Sequence, residues 1–236
     1  MTFKICVSIP VRDIKKIHED ADKAKYEGAD LIELRFDFLN SISFKDVRDA
    51  AKIVRSEGLP SIFTLRSERE GGFFPETKEA ERANIILEAL NHFDFVDIEL
   101  ETRNKLLGRI IKTAMNHGVK TIISKHNFKR TPKVEEILKV LRKERKLNAY
   151  ICKYVSMARN LRDNLTVLEA CLKFSGRKIL FCAGELGIFS RVITPIYGSE
   201  WTYASLNEHT APGQLNLQNM RNLASLFSSM SSNCLH

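Results

Sequence analysis

A single lysine interrupts an otherwise apolar run, Tyr150-Ile151-Cys152-Lys153-Tyr154-Val155, and lysine is almost never fully buried without cause. A free lysine amine, with pKa about 10.4, is neutral in roughly four molecules of ten thousand at pH 7. An apolar wall and nearby arginines lower that pKa, freeing the amine to attack a carbonyl and form a Schiff base. The plainer reading is a strand-end lysine whose head snorkels to water. Of the six histidines, only His126 ends a run that reads as a strand. Alone it is most simply structural; opposite a Schiff-base lysine it becomes a proton shuttle with a near-neutral pKa. Its neighbour Lys125 is the rival amine. Side chains alternate along a strand, so if His126 faces the chemistry Lys125 faces away.

Three arginines, Arg35, Arg66 and Arg191, follow strand-like runs. Without a glycine-rich phosphate loop they suit a carboxylate or hydroxyl-rich ligand, because guanidinium binds carboxylate through two parallel hydrogen bonds. Glu33 and Glu70 can pair with them or bind hydroxyls; a structural Arg–Glu network around a rim is the bland alternative. No second histidine or cysteine stands at ligand spacing, so no metal site is expected. The absence of a Walker loop and of Gly-x-Gly-x-x-Gly disfavours a nucleotide, and no cofactor is expected.

These residues need a scaffold that gathers strand ends. Short β-branched runs at 3–9, 31–35, 61–65, 95–100, 120–125, 149–155, 178–183 and 201–205 recur about every thirty residues, with room for a helix in each gap. Strand–helix alternation predicts a parallel sheet, and eight units predict one (β/α)₈ barrel over 1–236, whose site lies at the C-terminal strand ends. Ser43 caps a helix that stops at Gly58, and Thr131-Pro132 opens another with Glu135 and Glu136 in its first turn. Gly28, Gly118 and Gly176 read as helix stops. A seventh helix, from Ser190 to about Tyr197, is cut short by Pro195.

The chain has 236 residues, 44% apolar and 28% charged, ordinary for a globular protein. No apolar run approaches the ~20 residues needed to span a bilayer, and Met1-Thr2-Phe3-Lys4-Ile5-Cys6 lacks a signal-peptide layout; a cytoplasmic protein without membrane contact is expected. Five scattered cysteines (Cys6, Cys152, Cys171, Cys182, Cys234) read as free thiols, most of them buried. The net charge of +8 has its densest source at 125–146, with nine Lys/Arg against three Glu. Val134, Ile137, Leu138 and Leu141 recur there at helical spacing, so the cations form the outer face of an amphipathic helix, and no nucleic-acid partner is expected. A basic balance also steers a small anion inward.

In combination the motifs resemble the type I 3-dehydroquinate dehydratases. They are Glu33-Leu34-Arg35-Phe36-Asp37, Arg66-Ser67-x-x-Glu70-Gly71-Gly72, Ser124-x-His126-x-Phe128, Lys153 in its strand, Gly187-x-x-Ser190-Arg191 and Ala211-Pro212-Gly213-Gln214, in that order. The resemblance runs from Ile5 to about Gln214. It implies that Lys153 forms an imine with the C3 ketone of 3-dehydroquinate. His126 would take the C2 proton and return it to the departing C1 hydroxyl, with Glu70 holding His126. It further implies Arg191 and Gln214 on the substrate carboxylate and Glu33, Arg35 and Arg66 on ring hydroxyls, with Ser8 and Thr210 completing the binding set. A homodimer is also implied.

Three departures stand out. Asn127 replaces the usual aspartate, removing a charge beside His126. Thr210 replaces a serine. Ala183 replaces a methionine, which loosens one wall. The loop 69–76 is expected to close over substrate. Two competitors use other chemistry: a class I aldolase acting on a sugar phosphate, which wants a phosphate nest near Gly184, Gly187 and Gly198, and a non-catalytic barrel binding nucleic acid through 125–146.

Overall fold

The computed structural model describes residues 3–233. Strands and helices alternate: β1 (Ile5–Pro10), α1 (Ile17–Tyr26), β2 (Leu31–Arg35), α2 (Phe44–Glu57), β3 (Ser61–Thr64), α3 (Glu79–Ala89), β4 (Phe95–Glu99) and α4 (Asn104–His117). They continue through β5 (Lys120–Asn127), α5 (Val134–Lys146), β6 (Ile151–Met157), α6 (Arg162–Lys173), β7 (Lys178–Ala183), α7 (Ile188–Ile196), β8 (Thr202–Ser205), β9 (Leu215–Asn216) and α8 (Leu217–Asn233). The eight expected strands form one parallel sheet in the order β7-β6-β5-β4-β3-β2-β1-β8, the curled arrangement of a (β/α)₈ barrel.

The ladder does not close between β7 and β8. Glu200 N–H donates to Lys178 C=O at 2.8 Å at the foot of that seam, and Gly184 N–H donates to Pro212 C=O at 3.0 Å at its head. Between them the Phe181 and Tyr203 rings meet with centroids 5.8 Å apart. The two-residue β9, which the sequence pattern does not announce, pairs with β8 at that edge.

Helix punctuation follows local chemistry. Ser43 accepts from Asp46 N–H while Asp46 accepts from Ser43 N–H, a capping box, and α2 ends at Gly58 with φ 74°. Three boundaries differ from expectation. α5 begins at Val134, because the Thr131 hydroxyl is occupied with Ser156 Oγ (3.0 Å) and Met157 C=O (2.9 Å), tying the preceding loop to β6. α6 stops at Lys173 with Phe174 extended, so Gly176 lies in the next loop. α7 starts at Ile188, and Pro195 sits inside its last turn.

Two kinds of core flank the sheet. Outside, β-branched and leucine side chains of the strands pack against the helices. Inside, Cys6, Leu31, Ile62, Phe95, Ile122, Ile151, Ile179 and Trp201 form an apolar floor. Two residues further along, the inward positions of β1 to β6 turn polar: Ser8, Glu33, Thr64, Asp97, Ser124 and Lys153, all buried. That step from floor to polar layer places the site. Cys6, Cys152, Cys171 and Cys182 are buried free thiols; Cys234, His236 and the Met1-Thr2 start lie outside the described residues. No helix among the described residues is long and apolar enough to cross a membrane.

Candidate active site

One cavity of about 340 Å³ opens at the C-terminal strand ends, and its lining includes all ten residues singled out in the sequence: Ser8, Glu33, Arg35, Arg66, Glu70, His126, Lys153, Arg191, Thr210 and Gln214. Lys153 is 3% exposed. Its Nζ donates to Asp97 Oδ2 at 3.0 Å and to Tyr203 Oη at 3.1 Å, with Glu33 Oε1 at 3.6 Å. Nζ also lies 4.4 Å from the Tyr203 ring centroid. The expected flanking arginines are not its immediate partners; two carboxylates are.

Asp97 is the hub of that arrangement. It accepts from Ser124 Oγ at 2.6 Å and pairs with Arg66 Nη2 at 2.8 Å. Burial opposes its ionisation, yet Arg66 and Lys153 beside it hold its carboxyl well below the usual range. Burial pushes the Tyr203 phenol well up, so it remains protonated. Glu33 accepts from Ser8 Oγ (2.7 Å) and Thr64 Oγ1 (2.9 Å).

His126 Nδ1 stands 2.8 Å from Glu70 Oε2, which also accepts from the His126 backbone N–H at 3.0 Å. The carboxylate partner assigns the proton to Nδ1 and leaves the Nε2 lone pair free. Burial, then the positive charge of Arg66 and Lys153, drives the His126 pKa well below its ordinary value. The imidazole is therefore neutral at physiological pH and competent as a base. Burial raises Glu70, and Arg66 and Lys125 counteract it. Lys125 does face away from the cavity, as alternation requires, but its Nζ reaches Glu101 Oε1 (2.7 Å) and approaches Glu70 Oε1 (3.4 Å) from outside.

The arginines divide. Arg35 forms two parallel bonds to Asp37, at 2.8 and 2.7 Å. Arg66 is held by Asp97 and Glu99. Arg191 has no carboxylate within 4 Å among the described residues. It donates to Pro212 C=O at 3.1 Å, lies 4.4 Å from the Phe181 ring centroid and leaves Nε without a partner. Burial alone pulls its pKa down to about 10. A buried, unmatched guanidinium on a cavity wall is a socket for an anion.

The departures resolve in the same geometry. Asn127 Oδ1 accepts from the backbone N–H of Lys129 (3.1 Å) and Arg130 (3.2 Å), so it closes a turn outside the cavity, and the charge change expected beside His126 falls there instead. The Thr210 hydroxyl donates to Gln214 Oε1 at 3.2 Å. Met157, the register partner of Ala183, lines the same wall. The motifs singled out neither Asp97 nor Tyr203. Strand parity was the available signal: Asp97 is two residues beyond Phe95, and Tyr203 two beyond Trp201.

A phosphate nest is absent where the aldolase reading needs it. The N–H groups of Gly184, Gly187 and Gly198 already donate to the carbonyls of Pro212, Gly184 and Pro195. Among the described residues no three His, Cys, Asp or Glu side chains are grouped to hold a metal ion.

Comparison with known proteins agrees with this geometry. The family model for type I 3-dehydroquinase matches residues 5–231. The 3-dehydroquinate dehydratase of Methanococcoides burtonii is 38% identical over 200 residues, covering 84% of each chain. The crystal structure of 3-dehydroquinate dehydratase from Aquifex aeolicus VF5 superposes with a TM-score of 0.85 at 34% identity, covering 95% of this chain and 99% of that one. That of the type I enzyme from Clostridium difficile, with covalent modified comenic acid, superposes with a TM-score of 0.89 at 30% identity, covering 97% and 94%. The chain belongs to the type I 3-dehydroquinase family.

Proposed function

We propose that this hydro-lyase converts 3-dehydroquinate to 3-dehydroshikimate, a step of the shikimate pathway, through a covalent imine on Lys153. The observation that carries the reading is one amine and one neutral imidazole on the wall of a cavity whose only unmatched arginine is Arg191. The Lys153 ammonium gives up a proton to water, the freed amine adds to the C3 ketone, and loss of water gives the iminium. His126 Nε2 removes the C2 proton, and the C–H electron pair flows toward the iminium nitrogen as an enamine. The imidazolium, steadied by Glu70, then protonates the C1 hydroxyl on the same face, which leaves as water. Hydrolysis of the new imine frees the product and the amine.

Arg191 receives the substrate carboxylate, helped by Gln214. Ser8 and Glu33, with Arg35 and Arg66 behind their carboxylate partners, meet the ring hydroxyls. Thr210 closes the rim with Gln214, and the loop at 69–76 folds over the substrate. No metal or cofactor takes part in this scheme, and the substrate is the small molecule alone. Assembly as a homodimer in the cytoplasm fits the family. The exposed apolar side chains Leu161, Leu165, Leu172, Leu186 and Phe189 on and beside α6 and α7 offer a surface for the second copy.

Borohydride reduction of the protein mixed with 3-dehydroquinate, followed by peptide mass spectrometry, tests the mechanism. The expected adduct is on Lys153. An adduct on Lys125, or none on folded protein, overturns it.

A further inference from the structure

A second cavity of about 480 Å³ lies outside the barrel between α5 and the segment after β4. Its walls carry Lys125, Lys139, Arg142, Lys143 and Lys146 against one carboxylate, Glu101. The four α5 cations recur at i, i+3, i+4 and i+7, so they share one helix face. Lys139, Lys143 and Lys146 have no carboxylate within 4 Å among the described residues. Arg142 reaches Glu135 only at 4.0 Å. Unmatched like charges in a concave site focus a positive potential, which a compact polyanion relieves better than a monovalent ion does.

Lys125 gives the cleft a line to the barrel interior. Its Nζ is 2.7 Å from Glu101 and 3.4 Å from Glu70 Oε1, an oxygen that has no hydrogen-bond partner. The other oxygen of Glu70 holds His126. We propose that this cleft binds a small multiply charged anion of the pyrophosphate class, and that Lys125 relays its presence to the Glu70–His126 pair. Only the relay rests on the reading of that pair as catalytic. A bound polyanion competes for Lys125 and weakens its hold on Glu70.

Glu70 faces Arg66 beyond β3, Asp97 on β4, Lys125 and His126 on β5, and Glu144 on α5. With Lys125 drawn off, Arg66 is the main charge still favouring the carboxylate. Glu70 then takes a proton at higher pH, and His126 loses its anionic anchor. By linkage, whatever the anion does to this pair, the state of the pair does to anion affinity.

Calorimetric titration of the full chain with inorganic pyrophosphate at low ionic strength tests the site. The expected result is one saturable site that K143E/K146E weakens by about tenfold or more. It survives in R191M, which excludes the barrel cavity, and in K15E/K16E, which makes the same charge change before α1. Equal loss in the α5 and α1 variants, loss in R191M, or binding of duplex nucleic acid without binding of pyrophosphate overturns the proposal. The relay is read by NMR titration of the His126 imidazole nitrogens, with and without pyrophosphate and in the absence of substrate. The titration moves in the native chain and not in K125M. An unmoved His126 on a loaded protein overturns the relay, and neither readout depends on turnover.

Discussion

Arg191 and Arg66 share a cavity wall and face opposite electrostatic demands. Arg66 is matched by Asp97 and Glu99; Arg191 keeps a buried charge with only a carbonyl and a ring against it. Such a charge is costly to fold and useful to bind with. Arg191→Met is therefore expected to raise Tm while raising KM for 3-dehydroquinate on the order of a hundredfold, about the worth of a charge-assisted pair. A drop in Tm would mean that Arg191 is structurally matched after all. Glu70→Gln keeps the hydrogen bond to Nδ1 but removes the charge that steadies the imidazolium, and kcat should fall on the order of a hundredfold. The acid limb of kcat/KM in the native enzyme should lie below that of an ordinary histidine, because burial holds His126 neutral further into the acid range. A limb at or above pH 6.5 would contradict the stated cause.

At the scale of elements, the site depends on loops that glycine allows to approach closely. Gly213 adopts φ 68°, and a Cβ there would strike the Gly184 carbonyl, where the segment bearing Thr210 and Gln214 crosses the head of β7. Gly213→Ala should displace that segment and raise KM several-fold, with a smaller effect on Tm, measured by steady-state kinetics and thermal melts. The α2 cap acts locally and far from the cavity, so Ser43→Ala should cost about 1 kcal/mol in urea unfolding and leave KM unchanged. β5 and β6 are joined in register with Ser124 opposite Lys153, which fixes the height of the amine above the apolar floor. A slip of one residue would turn Lys153 toward the helices.

At the scale of the whole molecule, Glu144 is a buried acid that the chemistry does not use and that no cation matches among the described residues. Glu144 is 0% exposed, neither carboxyl oxygen has a hydrogen-bond partner, and burial, reinforced by Glu70 and Asp97, raises its pKa well above the ordinary value. Because the folded pKa exceeds the unfolded one, its contribution is fully present below about pH 4.5 and is lost as pH rises from there through the folded pKa. Glu144→Met should abolish that decline and stabilise the chain at neutral pH by about 1–3 kcal/mol in urea titrations. An unchanged pH slope would rule Glu144 out as its source. The net charge of +8 acts on the same scale: capture of an anionic substrate should slow as ionic strength rises, lowering kcat/KM more than kcat.

Local chemistry by itself determined the alternation of eight strands with helices, the capping of α2, and the candidacy of Lys153, His126 and the arginines, because period, parity and residue type are readable one segment at a time. Parity also turned Lys125 outward. Only the tertiary structure decided which arginine stays unmatched, since that depends on Asp97 and Glu99 reaching Arg66 from β4 while no carboxylate among the described residues reaches Arg191. It likewise set Asp97 and Tyr203 against Lys153 Nζ, sent Asn127 into a turn instead of toward His126, and left the β7–β8 seam to a ring contact between two backbone hydrogen bonds. Pairing of charges across strands, and closure of a sheet on itself, are long-range matters of distance in a low-dielectric interior, and no local pattern carries them.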